Sequence, residues 1–504
     1  MAVLRQKLIT FLIFLCVFTA LAFYLKNGLY SHDDFAMSFF YGQNLWQTII
    51  GADHGRYLSS VTMKFVADTL SQIQHVHPQD NFIGFMLKGL NFTVLFYFMA
   101  KLFNFDKKGS RLTDPIAFII VSVFSVAIVS NRDFLTLNCY NQNFGYIFNL
   151  IFFVPALLLV CDLFVNKKLP NKSEMVKSCI LFSLLGFSAH FNIVTFSGFI
   201  IVIFMYLFFK NIKNLKSLFE KVFSKPIILP LLCFISAALL SFTSYSFRYL
   251  LFEVRRPQGA PWLSSVIASV PDFTQQWVFA LFSNGKICVL VLLLTVWAMI
   301  LIKRTGSIEK YRNIFLAWAL IYGAAFFNYT LIICSTTFHG NGGQYWLVSP
   351  EVRLVTDIYF IMALIIISGI VFELTDKKKF FALLCMFVSL TIFIESLPAL
   401  IYNYHLNTVK RRTLYEVEKE TLFLQKLNRT DCVYFPERTP LPDWVIDIDA
   451  FENNFYNNYN IHTIKKYKYI TEKEFIKLME SKGLKFSKEE LNTPKFSILK
   501  EEFK

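Results

Sequence analysis

Eleven apolar segments follow one another along this chain, each separated from the next by a charged or polar stretch. A helix crosses the roughly 30 Å hydrocarbon layer of a bilayer in about 20 apolar residues. The segments therefore predict membrane-spanning helices. They lie at 8–25, 82–100, 115–130, 146–165, 178–188, 195–209, 227–247, 280–302, 313–334, 354–374 and 380–401.

The composition agrees with a protein that is largely embedded in lipid. Hydrophobic residues make up 55% of the 504 residues and aromatic residues 17%, more than one soluble core hides. The predicted fold is an all-α polytopic membrane domain over 1–404, followed by a small extracytoplasmic α/β domain over 405–504. Three elements are predicted in that second domain, an amphipathic helix, a strand and a further helix, at 408–428, 432–435 and near 472–482.

Lysine and arginine are distributed unequally between alternate loops, and this predicts the orientation. Cytoplasmic loops of membrane proteins carry the excess of these residues. One set of loops holds 22 Lys and Arg, whereas the opposite set, although longer, holds 8. The N-terminus is therefore predicted in the cytoplasm and the C-terminal domain outside. The richness in Phe, Lys, Asn and Ile is typical of an AT-biased genome rather than of a function. We expect a bacterial host and the bacterial cytoplasmic membrane.

The formal net charge of +15 does not indicate a nucleic acid partner. Most of the excess lies in the predicted cytoplasmic loops, where it faces the lipid bilayer and its anionic headgroups. The last 103 residues hold 18 Lys and Arg against 16 Asp and Glu. The nine cysteines have no regular spacing, so neither a disulfide framework nor a thiolate metal cluster is predicted.

The first apolar segment has two interpretations. Arg5 and Lys7, the apolar run and Ala20-Leu21-Ala22 resemble a secretory signal with its cleavage site. The run continues through Leu25, which favours a retained helix. In both cases the residues that follow emerge on the outer side of the membrane.

An acidic pair, Asp33 and Asp34, follows the first segment inside a predicted outer loop at 26–81. Either carboxylate suits the N-cap of a helix that begins with Phe35. A carboxylate at the membrane surface is also placed to act as a base. Both interpretations stay open on the residues alone.

The second and third predicted outer loops carry further candidates for binding a polar ligand. The second loop, at 130–145, is rich in side chains that hydrogen-bond sugars, among them Asn141, and Asp133 is its only acid. A surface pair of Arg132 with Asp133, worth little energy, is the alternative interpretation. His190 is the candidate of the short third loop, although a single His near a helix end is more often structural.

Later outer loops contribute cations and aromatic residues. Arg256 lies in the fourth loop, and Tyr345 lies in the Gly-rich fifth loop. Glu351 and Arg353 follow at the mouth of the tenth predicted span. The guanidinium fork of Arg suits phosphate oxygens at headgroup depth, and an Arg that snorkels to the interface is the alternative.

In these features the chain resembles the GT-C class of polyprenyl-phosphate-dependent glycosyltransferases, particularly the bacterial O-antigen glucosyltransferases. The resemblance rests on the acidic pair after the first span, Gly55-Arg56 later in that loop, an acid in the second loop, the Asn141 to Tyr146 stretch and Arg353 before a late span. It covers about 400 residues as architecture, but only short motifs as sequence.

The resemblance implies an enzyme that moves a sugar from a polyprenyl-phosphate donor to an envelope glycan or glycolipid acceptor on the outer face of the membrane. It assigns Asp34, supported by Asp33, as the base that takes the acceptor proton. Arg353, with Arg56 and Arg256, would balance the charge on the leaving phosphate. The resemblance implies that the acceptor and the substrate are bound by Asp133, Asn141, Tyr146, His190, Tyr345 and Glu351.

A divalent metal, Mg or Mn, is left open as a cofactor. Asp33 and Asp133 would supply oxygen ligands, yet members of the class that use lipid monophosphates commonly work without a metal. The chain also departs from the pattern of this class in the third outer loop, where an acid often stands beside the histidine. Here Phe191 follows His190, so a catalytic role for that loop is in doubt.

Two other classes of function are carried as alternatives. A polysaccharide polymerase or ligase also uses outer loops and arginines, but it usually depends on large late loops. A transporter or flippase places charged residues near the bilayer midplane. Here Lys88, Lys286 and Glu395 are the main charges within spans, each near the outer end of its span, which favours chemistry at the interface.

Reporter fusions test the predicted orientation. Alkaline phosphatase folds only outside the cytoplasm, so we expect it to be active when fused after residue 430 and inactive when fused after residue 215. A fluorescent protein that matures only in the cytoplasm is the control and should show the opposite pattern. Phosphatase activity after residue 215 but not after residue 430 would show that the orientation is the opposite of the predicted one.

Overall fold

A computed structural model gives the fold, and almost all of the residues that it describes are helical. It describes residues 2–25, 44–50, 57–71, 82–105, 115–130, 143–164, 170–188, 190–210, 224–242, 285–321, 323, 350–428, 432–436, 466–470 and 472–481.

The described helices of the first half of the chain are α1 (Ala2–Leu25), α2 (Leu45–Ile50), α3 (Tyr57–Ser71), α4 (Phe82–Lys101), α5 (Pro115–Ser130), α6 (Phe148–Phe164), α7 (Lys172–Gly186), α8 (His190–Lys210) and α9 (Lys225–Phe242). Two turns that are not α-helical adjoin these helices, one tighter and one wider than an α-helical turn. A 3-10 turn, Leu102–Asn104, follows α4, and a π-helical turn, Asn143–Ile147, leads into α6.

The second half contributes α10 (Gly285–Thr305), a helix α11 at 310–321, α12 (Pro350–Leu374), α13 (Lys378–Asn428) and α14 (Glu472–Ser481). Two short strands, β1 (Cys432–Pro436) and β2 (Lys466–Ile470), pair in parallel, with Cys432 opposite Lys466. These strands and α14 are the described part of the predicted C-terminal domain after α13.

Seven of the described helices are long and apolar enough to cross a membrane, and α5 and α9 are shorter apolar helices. By length and composition, this is an all-α multi-pass membrane protein. The described part of each of the eleven predicted segments is helical, except for Phe187 and Ser188 at the end of the fifth. The seven long candidates are Leu4–Leu25, Met86–Asn104, Asn143–Leu163, Asn192–Phe209, Ile287–Thr305, Asp357–Leu374 and Lys378–Tyr402.

Helix α7 begins six residues before the predicted segment at 178–188, and a capping box explains the difference. The Asn171 side chain accepts a hydrogen bond from the Glu174 backbone N–H at 2.9 Å. The Glu174 carboxylate accepts one from the Asn171 N–H at 3.0 Å. This reciprocal pair satisfies two of the N–H groups that a helix start leaves open, so a polar first turn extends the apolar segment.

Contacts along the helices agree with the predicted alternation of their directions. Helices α1 and α4 are antiparallel, because the Phe14 and Tyr97 rings lie 6.1 Å apart while Ala22 lies beside Gly89. Helices α8 and α11 are also antiparallel, because Tyr206 stacks on Phe315 at 4.2 Å while Phe199 lies beside Gly323. Consecutive spans that run in opposite senses give this pattern.

An aromatic cluster at the centre of the bundle joins several helices. The Phe196 ring of α8 lies 5.5 Å from Phe153 of α6, 5.2 Å from Phe182 of α7 and 5.0 Å from Phe234 of α9. All three pairs meet edge to face, an arrangement that aromatic rings prefer. Tyr359 of α12 continues the cluster, with its ring 4.8 Å from that of Phe153.

Helices α7 and α9 pack closely because Gly186 has no side chain. A Cβ atom at this position would lie 2.5 Å from the Ala237 Cβ and 2.7 Å from the Phe234 carbonyl oxygen. The Ser241 hydroxyl also donates a hydrogen bond to the Gly186 carbonyl at 2.9 Å. Small residues at such contacts let helix backbones approach in a membrane.

Replacing Gly186 by Ala should separate α7 from α9 and lower the free energy of unfolding by about 1–3 kcal/mol, the usual cost of overpacking. Gly323→Ala is the matched control, because a Cβ there meets its nearest atom, in Phe199, at an ordinary 3.5 Å. Denaturant unfolding of the two purified variants in detergent measures the difference. Equal stabilities would show that the contact at Gly186 is not tight.

Candidate functional site at one end of the bundle

Buried side chains that carry amides or charges gather at one end of the bundle. Eight described side chains are of this kind. Six of them lie within the first ten residues of α4, α6, α8 or α12, or in the π turn before α6. All four helices are predicted to begin on the outer side. We call the six the polar cluster: Lys88, Asn91, Asn143, Asn149, Asn192 and Asp357.

Within the polar cluster, a hydrogen bond between two amides joins α4 to the π turn. The Asn91 Nδ2 donates to the Asn143 Oδ1 at 2.8 Å, and both side chains are buried. The two residues are 52 positions apart in the chain. The bond therefore holds the start of the α4 span against the point where the second predicted outer loop ends.

A second set of hydrogen bonds joins α3 to α6. The Asn149 Nδ2 donates to the Ser59 Oγ at 2.8 Å and also to the Gly145 carbonyl. The Ser59 hydroxyl donates to that same carbonyl at 3.4 Å. A π turn leaves backbone groups outside the regular α-helical ladder, and such turns are frequent at functional sites.

The start of α3 also contacts the end of α7. The Leu58 backbone N–H donates to the Phe187 carbonyl at 2.9 Å, and the Tyr57 ring meets the Phe187 ring edge to face at 5.9 Å. Tyr57 directly follows the segment that carries Asp33, Asp34 and Arg56 in the sequence. The part of the first predicted outer loop that follows Arg56 therefore lies beside the beginning of the third.

The fifth predicted outer loop ends near the same place. The Tyr359 hydroxyl of α12 donates to the Asn192 Oδ1 of α8 at 3.4 Å, and both side chains are buried. Asn192 is two residues beyond His190, and Tyr359 is six residues beyond Arg353. The described ends of four predicted outer loops thus meet around one set of buried amides and hydroxyls.

Several polar atoms of this region have no hydrogen-bond partner in the described protein. They are Ser60 Oγ, Asn143 Nδ2, Asn149 Oδ1 and Asn192 Nδ2. A buried polar atom without a partner costs free energy, and each one needs an explanation. Amides and hydroxyls of this kind are suited to binding uncharged polar groups.

Four of the residues that the sequence predicts for the site lie on described elements. Tyr146 is half-buried in the π turn beside Asn143 and Asn149. His190 is the first residue of α8, and Glu351 and Arg353 lie in the first turn of α12, where the structure describes their backbone. The other predicted residues lie outside the described ranges: Asp33, Asp34, Arg56, Asp133, Asn141, Arg256 and Tyr345.

Sequence reasoning missed most of the polar cluster. Asp357 is only 1% exposed within a candidate span, and an acid inside an apolar run is by itself a signal of a functional residue. Lys88 was noticed as a charge near the outer end of a span, and its side chain is fully buried. Asn143 lies in the Asn141 to Tyr146 stretch that the sequence analysis singles out, but its bond to Asn91 gave no signal, because the two residues are distant in the chain.

The two acids that would supply oxygen ligands to a metal, Asp33 and Asp133, lie outside the described ranges. Among the residues that are described, no three His, Cys, Asp or Glu side chains come together to hold a metal ion. Comparison with known proteins adds no relative, because no family model, no curated protein and no solved structure matches this chain.

A double-mutant cycle tests the bond between Asn91 and Asn143. Hydrogen bonds between helices in a membrane contribute about 0.6 kcal/mol on average, so the two Ala variants should show a coupling of that order. Pairing Asn91→Ala with Asn313→Ala is the control, and these two changes should add to within about 0.3–0.5 kcal/mol. Unfolding in detergent measures each variant, and additive effects for Asn91 and Asn143 would contradict the bond.

Proposed function

We propose that this protein is an inverting membrane glycosyltransferase of the GT-C type. It moves a sugar from a polyprenyl-phosphate donor to an envelope glycan or glycolipid acceptor on the outer face of the membrane. The observation that carries the proposal is the meeting of four predicted outer-loop ends at the polar cluster. Apart from Arg256 of the fourth loop, the acids and arginines that the sequence predicts for the site belong to these same loops or to the helix turn that follows them.

The proposed reaction is a single displacement at the anomeric carbon. The acceptor oxygen forms a bond to this carbon while the bond to the phosphate oxygen of the donor breaks. Asp34 takes the acceptor proton, and the polyprenyl phosphate leaves with the electron pair. A positioned base of this kind contributes about 10²- to 10⁴-fold to a rate, and arginine is suited to the charge that develops on the phosphate.

The hydrogen bonds of the polar cluster support this proposal through positioning. Catalysis needs the base, the acceptor and the donor to be held within a fraction of an ångström of the productive geometry. The Ser59–Asn149 and Asn91–Asn143 bonds join elements that flank the first two predicted outer loops. The bond between Tyr359 and Asn192 joins the helices that follow the fifth and third loops.

A membrane transporter is the second candidate, and the burial of Lys88 and Asp357 favours it. Ionisable residues inside spans often mark substrate or ion pathways. An assay in detergent solution distinguishes the two functions, because transport needs two compartments and a detergent solution has none. The purified protein should still transfer labelled sugar from a polyprenyl phosphate to an acceptor in detergent if it is a transferase, whereas a transporter would give no product there.

Replacing Asp34 by Asn should abolish addition of one sugar in cells. We would delete the protein, complement with either variant at matched membrane abundance, and measure envelope glycans and lipid-linked sugars by mass spectrometry. Asp376→Asn is the control, because Asp376 is exposed in the turn between α12 and α13, which is predicted to be cytoplasmic. Wild type and Asp376→Asn should restore the sugar, while Asp34→Asn should lower transfer by at least about 10²-fold. Equal restoration by all three would remove Asp34 as the base.

A further inference from the structure

An apolar groove runs along the bundle between α5, α10, α12 and α13. Its volume is about 770 Å³, including the part that is open to the surroundings. The walls are almost entirely aliphatic and aromatic, and Ser368, Cys385 and Ser389 are the side chains in them that carry a heteroatom.

The groove is open on the side of α13. Leu384 on its rim is 37% exposed, whereas Ile361 and Phe381 in its walls are at most 1% exposed. In a bilayer, this side of α13 faces lipid, because Leu383 and Phe387 on the neighbouring face are 65% and 68% exposed. A hydrocarbon chain can therefore enter the groove directly from the membrane.

Aromatic rings close one end of the groove. The Phe103 ring lies 5.3 Å from the Phe372 ring, which lies 6.3 Å from the Phe381 ring. The Trp297 ring of α10 then meets Phe381 edge to face at 5.4 Å. This row lies at the end of α12 away from Tyr359, and so away from the polar cluster.

A lysine is fixed on the outside of this aromatic row. The Lys378 ammonium lies 5.7 Å from the centre of the Phe372 ring, in the arrangement of a cation–π contact. The neighbouring Lys377 and Lys379 are exposed, and they follow one exposed acid, Asp376. Glu373 is paired with Lys310, so its charge is already balanced. The end of the groove that the rings close therefore carries an excess of positive charge.

We propose that this groove binds an anionic phospholipid of the bilayer. One acyl chain enters through the opening on the α13 side and fills the groove, and the phosphate headgroup lies outside the aromatic row, against Lys377, Lys378 and Lys379. Burial of apolar area stabilises the chain in the groove, and basic pockets between helices on the cytoplasmic side recognise anionic headgroups. The inference is independent of the proposed transferase, whose site is at the opposite end of α12.

Native mass spectrometry of the purified protein in detergent tests the inference. The protein is titrated with phosphatidylglycerol or with phosphatidylcholine of the same chain length, and we expect one tightly bound phosphatidylglycerol per chain. Cys385→Trp fills the groove and should weaken this binding by at least about ten-fold, whereas Phe387→Trp, on the exposed face of the same helix, should leave it unchanged. Thermal unfolding checks that both variants fold, and Ser389→Phe is a second way to fill the groove.

The headgroup contact has its own test. Lys378→Gln should weaken phosphatidylglycerol binding about five-fold, because one lysine near an anionic lipid contributes about 1 kcal/mol, and it should leave phosphatidylcholine binding unchanged. Equal binding of the two lipids by the wild type would overturn the proposal. Unchanged binding in both groove-filling variants would do the same, as would displacement of phosphatidylglycerol by polyprenyl phosphate, which would assign the groove to a donor lipid instead.

Discussion

The edge-to-face contacts of Phe196 hold the centre of this bundle together. In a bilayer, lipid tails are as apolar as the side chains, so helices gain little from simply removing apolar surface from their solvent. The free energy that holds the helices together must therefore come from the fit and geometry of the packed side chains. Phe196 contacts rings from α6, α7 and α9 at 5.0–5.5 Å. The 58 phenylalanines of the chain therefore matter as packing units as well as apolar ones.

The polar cluster depends on this rigid centre. An amide in a hydrocarbon environment is expensive unless it is hydrogen-bonded, and the bond forms only if both elements are held in register. Tyr359 shows the link directly, because its ring packs on Phe153 while its hydroxyl reaches Asn192. A single side chain of the aromatic cluster is thus hydrogen-bonded to a member of the polar cluster.

Hydropathy alone predicts where the helices lie, because an apolar run such as 380–401 has few alternative structures in a membrane. It does not predict helix ends that depend on hydrogen bonds, as the Asn171–Glu174 capping box shows. Nor does it predict the Asn91–Asn143 bond, because that pairing depends on how two spans pack. The loop acids Asp34 and Asp133 are candidates by residue type and position, and they stay predictions because they lie outside the described residues.

Helix α13 is continuous over 51 residues, from Lys378 to Asn428. Its candidate span ends at Tyr402, so about 26 residues continue beyond it, and at 1.5 Å per residue they extend about 39 Å. Near the end of the span, the Tyr24 hydroxyl of α1 donates a hydrogen bond to the Leu400 carbonyl at 3.2 Å. Because α13 is one continuous helix that this bond holds against α1, a force applied to the strand at Cys432 would be transmitted along the helix to the contact between α1 and α13.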